Sequence, residues 1–255
     1  MKKESYDLIV SLGAVCSASE TLRKNNLQEY SFPFDWIGQM ELKDRILLMI
    51  NDFEGWFNIE DFEYIGQRTH PEPCNIYKNK KTGLEYHHDF AIDTPIEKSY
   101  PEAHDRYLRR TQRLKELIEK AKDILFVYIE MPNINHQYDE EYLKECSSIL
   151  NDNYKDKNVK LLYFYHTLEP EIKKKSFNNL DIYSGNYEAS KEGEERFLVN
   201  YDILNKVFKN IKLKLTLKRF INKFIEYKCF KRQDKIRYHF KIFGIKFQIS
   251  KKRKH

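Results

Sequence analysis

Glycine and proline are scarce in this chain, 8 and 7 among 255 residues. That excludes a collagen-like or low-complexity chain and one dominated by loops. No run of about 18 uncharged apolar residues occurs, so no transmembrane helix is expected. The 4 cysteines, Cys16, Cys74, Cys146 and Cys229, lie far apart and form no C-x-x-C pair. Such spacing argues against a zinc knuckle and supplies no disulfide framework, so reduced thiols in a cytoplasmic protein are expected. His87 and His88 are too close to share one tetrahedral ion, and no H-x-x-x-H spacing exists, so no metal and no other cofactor is implied. A D-x-D motif and a glycine-rich phosphate loop are also missing. The start, MKKESYDLIVSLGAVCSASE, has two lysines and a short apolar run. Glu4 and Asp7 interrupt it, and it reads as mature domain rather than signal peptide.

What is present is aromatic and unevenly charged. There are 18 Tyr and 17 Phe, enough for a core built on rings. The net charge of +6 conceals two halves: residues 209–255 carry 17 Lys and Arg against 2 Asp and Glu, and residues 1–208 carry 28 against 37. An acidic domain over residues 1–210, followed by a basic amphipathic tail over 211–255, is the expected organisation.

The chain is organised around residues 6–24, YDLIVSLGAVCSASETLRK. This reads as a strand, a glycine turn at Gly13, a cysteine and a helix. Ser17 or Ser19 is positioned to cap the helix, and Ser17 with Glu20 forms an S-x-x-E capping box. Cys16 then stands on the turn at the helix N-terminus, where free backbone N–H groups favour a thiolate. The same backbone, around Gly13 and Ser17, is placed to hold an oxyanion during acyl transfer. The structural alternative is a small buried cysteine behind a tight turn.

SLGAVCSASETLR, with YSFPFDW at residues 30–36 and HHDF at 87–90, resembles a bacterial family of unknown function described as papain-like cysteine peptidases. The likeness covers about the first two-thirds of the chain and implies a reaction class, with no substrate. It implies Cys16 as nucleophile and His88 as general base, with His87 the alternate. A thiol nucleophile needs an imidazole to take its proton, and a third group to fix that ring's tautomer. Asp35, set among the rings of YSFPFDWI, is one candidate for that group; its alternative is an Asx-turn or helix cap. Asp89 follows His88 directly, so on one strand it points away.

The remaining pattern predicts an α/β fold, a mainly parallel sheet flanked by helices with a β-hairpin insertion. DILFVYIE at 123–130 and VKLLYFYH at 159–166 read as strands buried on both faces. Residues 180–184 form a shorter third, and helices are expected over 41–51, 99–122, 140–150 and 194–209. Residues 51–66 read as a short helix or irregular cover. The hairpin pairs 75–78 with 85–92 around KKTG. Arg106, Arg109, Arg110 and Arg113 give the 99–122 helix a basic side, read as a solvated face or a site for an anionic substrate group. Sites in open α/β sheets lie beyond the C-terminal strand ends, which here carry Cys16, Glu130, Asn133, Asn135, His136 and His166. His166 or His136, oriented by Glu130, is therefore a rival base, in an arrangement closer to an SGNH-type esterase with cysteine for serine.

The tail alternates basic with apolar residues. Residues 211–229 suit a basic amphipathic helix, and 238–249 a strand pair turning at Gly244. The ending KIFGIKFQISKKRK resembles tails of bacterial enzymes that build surface polysaccharides. Such a segment suits an anionic membrane surface, at about 1 kcal/mol per Lys or Arg near the lipid. No nucleic-acid module accompanies it. The leading expectation is a cysteine-dependent acyl hydrolase or acyltransferase acting on an acyl, peptide or saccharide-linked substrate at the inner membrane face. The alternatives are a glycosyltransferase-like or sugar-modifying enzyme with a structural Cys16, and a non-catalytic membrane-docked adaptor.

Overall fold

The computed structural model describes residues 3–38, 40–69, 73–132, 139–188 and 199–216, and the backbone of 225–231, 235–242 and 245–252. In chain order the strands are β1 (Glu4–Tyr6), β2 (Leu8–Gly13), β3 (Ile37–Gly38), β4 (Phe62–Arg68), β5 (Cys74–Asn79), β6 (Glu85–Phe90) and β7 (Asp123–Ile129). They continue with β8 (Asn158–His166), β9 (Lys173–Ser176), β10 (Leu180–Gly185), β11 (Ile211–Leu213), β12 (Ile225–Lys231), β13 (Lys235–Ile242) and β14 (Ile245–Lys252). The helices are α1 (Cys16–Lys24), α2 (Leu42–Ile50), α3 (Ile96–Lys120), α4 (Glu140–Asn153) and α5 (Tyr201–Phe208), with a 3-10 turn at Pro33–Trp36.

The central sheet runs β2-β7-β8-β10-β9. Its first four strands are parallel, and β9 closes the edge antiparallel. This is the α/β fold that the unbroken apolar runs predict, because a strand covered on both faces has no polar side to show. Alternation divides the side chains between two cores. Leu8, Val10, Leu12, Phe126, Tyr128, Leu161 and Tyr163 face α2 and α4. Ile9, Leu125, Val127, Ile129, Leu162 and Phe164 face Ala18 and Leu22 of α1 and Leu204, Val207 and Phe208 of α5. Burying one such side chain contributes about 1.5–3 kcal/mol.

The expected hairpin is one part of a larger antiparallel sheet, ordered β3-β6-β5-β4. Residues 62–68, of which 62–66 are expected as part of the cover, form its outer strand. A ring cluster from this sheet, Phe62, Tyr77, Tyr86 and Phe90, packs against Phe57, Tyr100 and Tyr107. Asn79 shapes the KKTG turn, its Oδ1 accepting from the N–H groups of Lys81 and Thr82. Part of the helix expected over 194–209 lies outside the described residues; its described portion is α5, started by Asn200, whose Oδ1 accepts from Asp202 N at 3.1 Å.

Contacts divide the chain into residues 1–213 and 214–255. The second unit is a meander, β12-β13-β14. Residues 225–229, expected as the end of an amphipathic helix, lie in strand β12, because IEYKC alternates with period two. The expected turn residue Gly244 lies outside the described residues, as does the middle of the expected helix. No helix among the described residues is long and apolar enough to cross a membrane.

Candidate active site

The turn from β2 into α1 builds the site. Gly13 has φ +111, a conformation that side-chain-bearing residues rarely adopt. The Gly13–Ala14 peptide is cis, and Ala14 N donates to Ile129 O at 2.8 Å, tying the turn to the end of β7. Val15 is the helix N-cap, extended at φ −136, and Cys16 is the first helical residue. The expected capping box therefore does not form. The helix starts before Ser17, so Ser17 and Ser19 lie inside it, and no side chain caps it. The Ser17 hydroxyl is buried without a partner among the described residues, and Glu20 accepts a hydrogen bond from the Tyr201 hydroxyl instead.

Cys16 is half-buried. Tyr201, at the start of α5, stands beside it. Burial first, then Glu20 and the nearby Cys16, hold the Tyr201 hydroxyl well above its ordinary pKa. The preceding residue, Asn200, donates its N–H to Tyr187 O at 2.7 Å. Tyr187 in turn lies edge-on to the His166 ring, centroids 5.3 Å apart, and its hydroxyl donates to Glu130 O at 2.8 Å. The segment around 187 and 200–201 thus borders both Cys16 and His166.

His166 ends β8 and is 6 % exposed. Its Nε2 lies 3.3 Å from Asn186 Oδ1. That oxygen also accepts from Glu188 N at 3.2 Å, which fixes the amide's orientation. Nε2 is therefore the protonated nitrogen of the neutral ring. Nδ1 keeps its lone pair and is buried without a partner among the described residues.

Glu130 stands apart from His166. One residue beyond β7, it follows the alternation of Phe126 and Tyr128 to the opposite face, where Tyr163 donates to its Oε1. It lines a cavity of about 150 Å³ with Glu41, Asp139, Tyr128 and Tyr142. Burial, then the charge of Glu41, pushes its carboxyl up to about 8. The expected Glu130–His166 pairing is thus replaced by Glu130–Tyr163 and His166–Asn186. Asn133, Asn135 and His136 lie outside the described residues.

His88 is exposed on β6. Arg68 Nη2 lies 3.1 Å from its Nδ1, and Trp36 lies edge-on to its ring at 5.6 Å. A guanidinium can only donate, so Nδ1 accepts and Nε2 carries the proton. His87 faces the other way, with Nε2 3.1 Å from Glu85 Oε2. Asp89 is engaged by α3, accepting from Arg106 Nη2 and the Tyr107 hydroxyl, each at 2.8 Å. Asp35 Oδ2 accepts from Gln28 Nε2 at 2.7 Å, Phe32 N at 2.9 Å and Arg23 Nη2 at 3.2 Å. Burial pushes this carboxyl up to about 6, against the pull of the Phe32 N–H and Arg23. The structure thus places Asp35 between the 3-10 turn and α1, and Asp89 against α3.

Residues 7–168, more than half of the chain and all the candidate residues named from sequence, match a family described as "Putative papain-like cysteine peptidase". The chain belongs to this family of papain-like cysteine peptidases. Membership supports a cysteine-dependent hydrolase. An uncharacterised protein of Acanthamoeba polyphaga mimivirus is 27 % identical over 163 residues, covering 57 % of this chain and 73 % of the viral one. That relative is viral, so the likeness does not tie the chain to bacteria. No solved structure matches. The family match ends before Asn186, Tyr187 and Tyr201, which sequence reasoning missed. Asn186 sits in an unpatterned SGNY stretch, and only the parallel pairing of Gly185 with His166 brings it to the histidine.

Proposed function

We propose that the protein is a cysteine-dependent hydrolase of peptide or other acyl bonds, with Cys16 as nucleophile. The observation that carries this reading is the position of Cys16 as the first residue of α1, beyond the C-terminal end of a parallel strand. Helix N–H groups there favour the thiolate and the oxyanion alike. The thiolate attacks the carbonyl carbon, and the tetrahedral oxyanion collapses with loss of the amine or alcohol, which takes a proton from the imidazolium. Water, giving a proton back to the imidazole, then attacks the thioester and releases the acid and the thiolate. His166 is the base best supported by its hydrogen bonds: Asn186 fixes its tautomer and Nδ1 is left with a lone pair. Asn186 takes the orienting role once expected of Asp35 or Glu130.

His88 is the second reading. It is favoured by its contact with Trp36, part of a turn whose Asp35 is bound to Arg23 of α1. In that reading Arg68 must leave Nδ1 before the ring accepts a proton. Transfer of the acyl group to another acceptor, a saccharide-linked substrate and attachment of the basic tail to an anionic membrane surface extend the proposal; their support is tail composition and its resemblance.

Alkylation of the intact protein across pH, mapped by mass spectrometry, tests the reading. Cys16 should label preferentially at or below neutral pH, and that preference should vanish in His166→Ala but persist in His88→Ala. The reverse pattern moves the base to β6. Cys16 labelling no faster than an ordinary thiol would overturn the nucleophile.

A further inference from the structure

Arg45 of α2 has no exposed atom surface to speak of, at 0 %, and it lies behind the Cys16 turn. Among the described residues it makes three hydrogen bonds, all to neutral backbone carbonyls. Nη1 donates to Leu12 O at 3.0 Å, Nη2 to Ala14 O at 2.9 Å and Nε to Met40 O at 2.8 Å. Among the described residues it forms no ion pair with a carboxylate. A buried guanidinium without a counter-ion is costly to keep, and the Phe34 and Tyr128 rings, 5.5 and 6.0 Å from Cζ, cover it. Gly13 leaves it room: a Cβ there would lie 2.5 Å from Nη1.

Two consequences follow from this geometry. First, the carbonyls on either side of the Gly13–Ala14 peptide both point at Arg45. In a trans peptide the N–H points opposite to the C=O. The Ala14–Val15 peptide is trans, so gripping Ala14 O turns Val15 N–H away from the guanidinium. Val15 is the N-cap of α1, and its N–H joins those of the first helical turn at the anion-binding end. Second, an unpaired positive charge in a medium of low dielectric acts strongly on its neighbours. A thiolate one residue beyond the gripped peptide gains from it.

We propose that Arg45 is the positioning residue of the nucleophile: it fixes the turn that presents Cys16 and the Val15 N–H, and it supplies the buried charge that favours the thiolate. This inference rests on the reading of Cys16 as nucleophile. The titratable groups facing Arg45 are Glu41, Tyr86 and Tyr128; Tyr201 stands beside Cys16 and itself meets Glu20 and Lys24, whose Nζ lies 3.0 Å from the Tyr201 ring centroid. The two carboxylates oppose a thiolate; Lys24 is an exposed cation on the Tyr201 side, and Arg45 is the buried one in this set.

The test uses the full-length protein, wild type, Arg45→Met and Arg45→Lys, with two reagents. Iodoacetamide reads the thiolate without an oxyanion; 4-nitrophenyl acetate reads acylation of Cys16, which needs one. Circular dichroism checks folding of each variant. Arg45→Met should raise the pH midpoint of Cys16 alkylation by about one unit, a tenfold slower reaction near neutrality, with the high-pH plateau unchanged. Arg45→Lys keeps the charge but cannot span three carbonyls. It should keep the alkylation midpoint and lose about tenfold or more in acylation. A merely structural arginine would change neither profile in folded variants, and unchanged acylation in Arg45→Lys alone overturns the proposal even where Arg45→Met fails to fold. A wild-type Cys16 that alkylates as an ordinary thiol overturns instead the nucleophile reading, and this inference with it.

Discussion

Asp35 has a fully buried carboxylate that, among the described residues, accepts three hydrogen bonds at one oxygen and none at the other. Its folded pKa of about 6 stands above the ordinary 3.8 because burial outweighs Arg23 and the N–H donors. Between those two values the folded protein holds a proton that the unfolded chain has lost, so stability falls as pH rises. The contribution is fully present below pH 4 and gone above about pH 6, on the order of 3 kcal/mol across the window. Asn at this position stays neutral throughout. Urea midpoints taken from pH 4 to 7 should therefore decline in wild type relative to Asp35→Asn. Two parallel profiles would mean that water or a nearby cation solvates the carboxylate, and that its pKa is not raised.

At the scale of elements, α5 is short and depends on its cap. Asn200 Oδ1 accepts from Asp202 N and Ile203 N, and the next residue brings Tyr201 against Glu20. Removing a cap of this kind costs about 1 kcal/mol, so Asn200→Ala should lower stability by that amount. It should also change the alkylation rate of Cys16, because Tyr201 stands beside it. A loss of stability with unaltered Cys16 labelling would detach α5 from the site. Elements with a strong period were legible in the chain: DILFVYI and the LLYFYH run could only be strands with both faces covered, and SLGAVC had to turn. The start of α1 was read at least two residues late, since S-x-x-E mimics a capping box at Ser17 where Val15 is already the N-cap. The 225–231 strand was missed because basic and apolar residues alternate there in a way that a helix of mixed faces also tolerates. The His166–Asn186 pair was illegible for a different reason. It arises from register between β8 and β10, and no local pattern in either segment announces it. Glu130 was placed on the right strand end but on the wrong face, which a count of alternation from Phe126 would have corrected.

The molecule as a whole joins an acidic first unit to a basic second one, residues 214–255. Residues 209–255 hold 17 of the 45 Lys and Arg and only 2 of the 39 Asp and Glu. A positive field this concentrated attracts an anionic surface over roughly a Debye length, about 10 Å at 0.1 M salt and about 3 Å at 1 M. The proposed membrane attachment therefore has a salt signature. Full-length protein should sediment with phosphatidylserine-containing vesicles at 0.1 M salt, stay in solution with phosphatidylcholine vesicles, and be released from the former near 1 M. Because the Cys16 turn, His166 and Asn186 all belong to the first unit, Cys16 alkylation should keep its pH midpoint whether or not vesicles are bound. Equal sedimentation with both lipids would replace the electrostatic surface by an apolar one, and a midpoint that moves on binding would show the tail acting on the site rather than only carrying it.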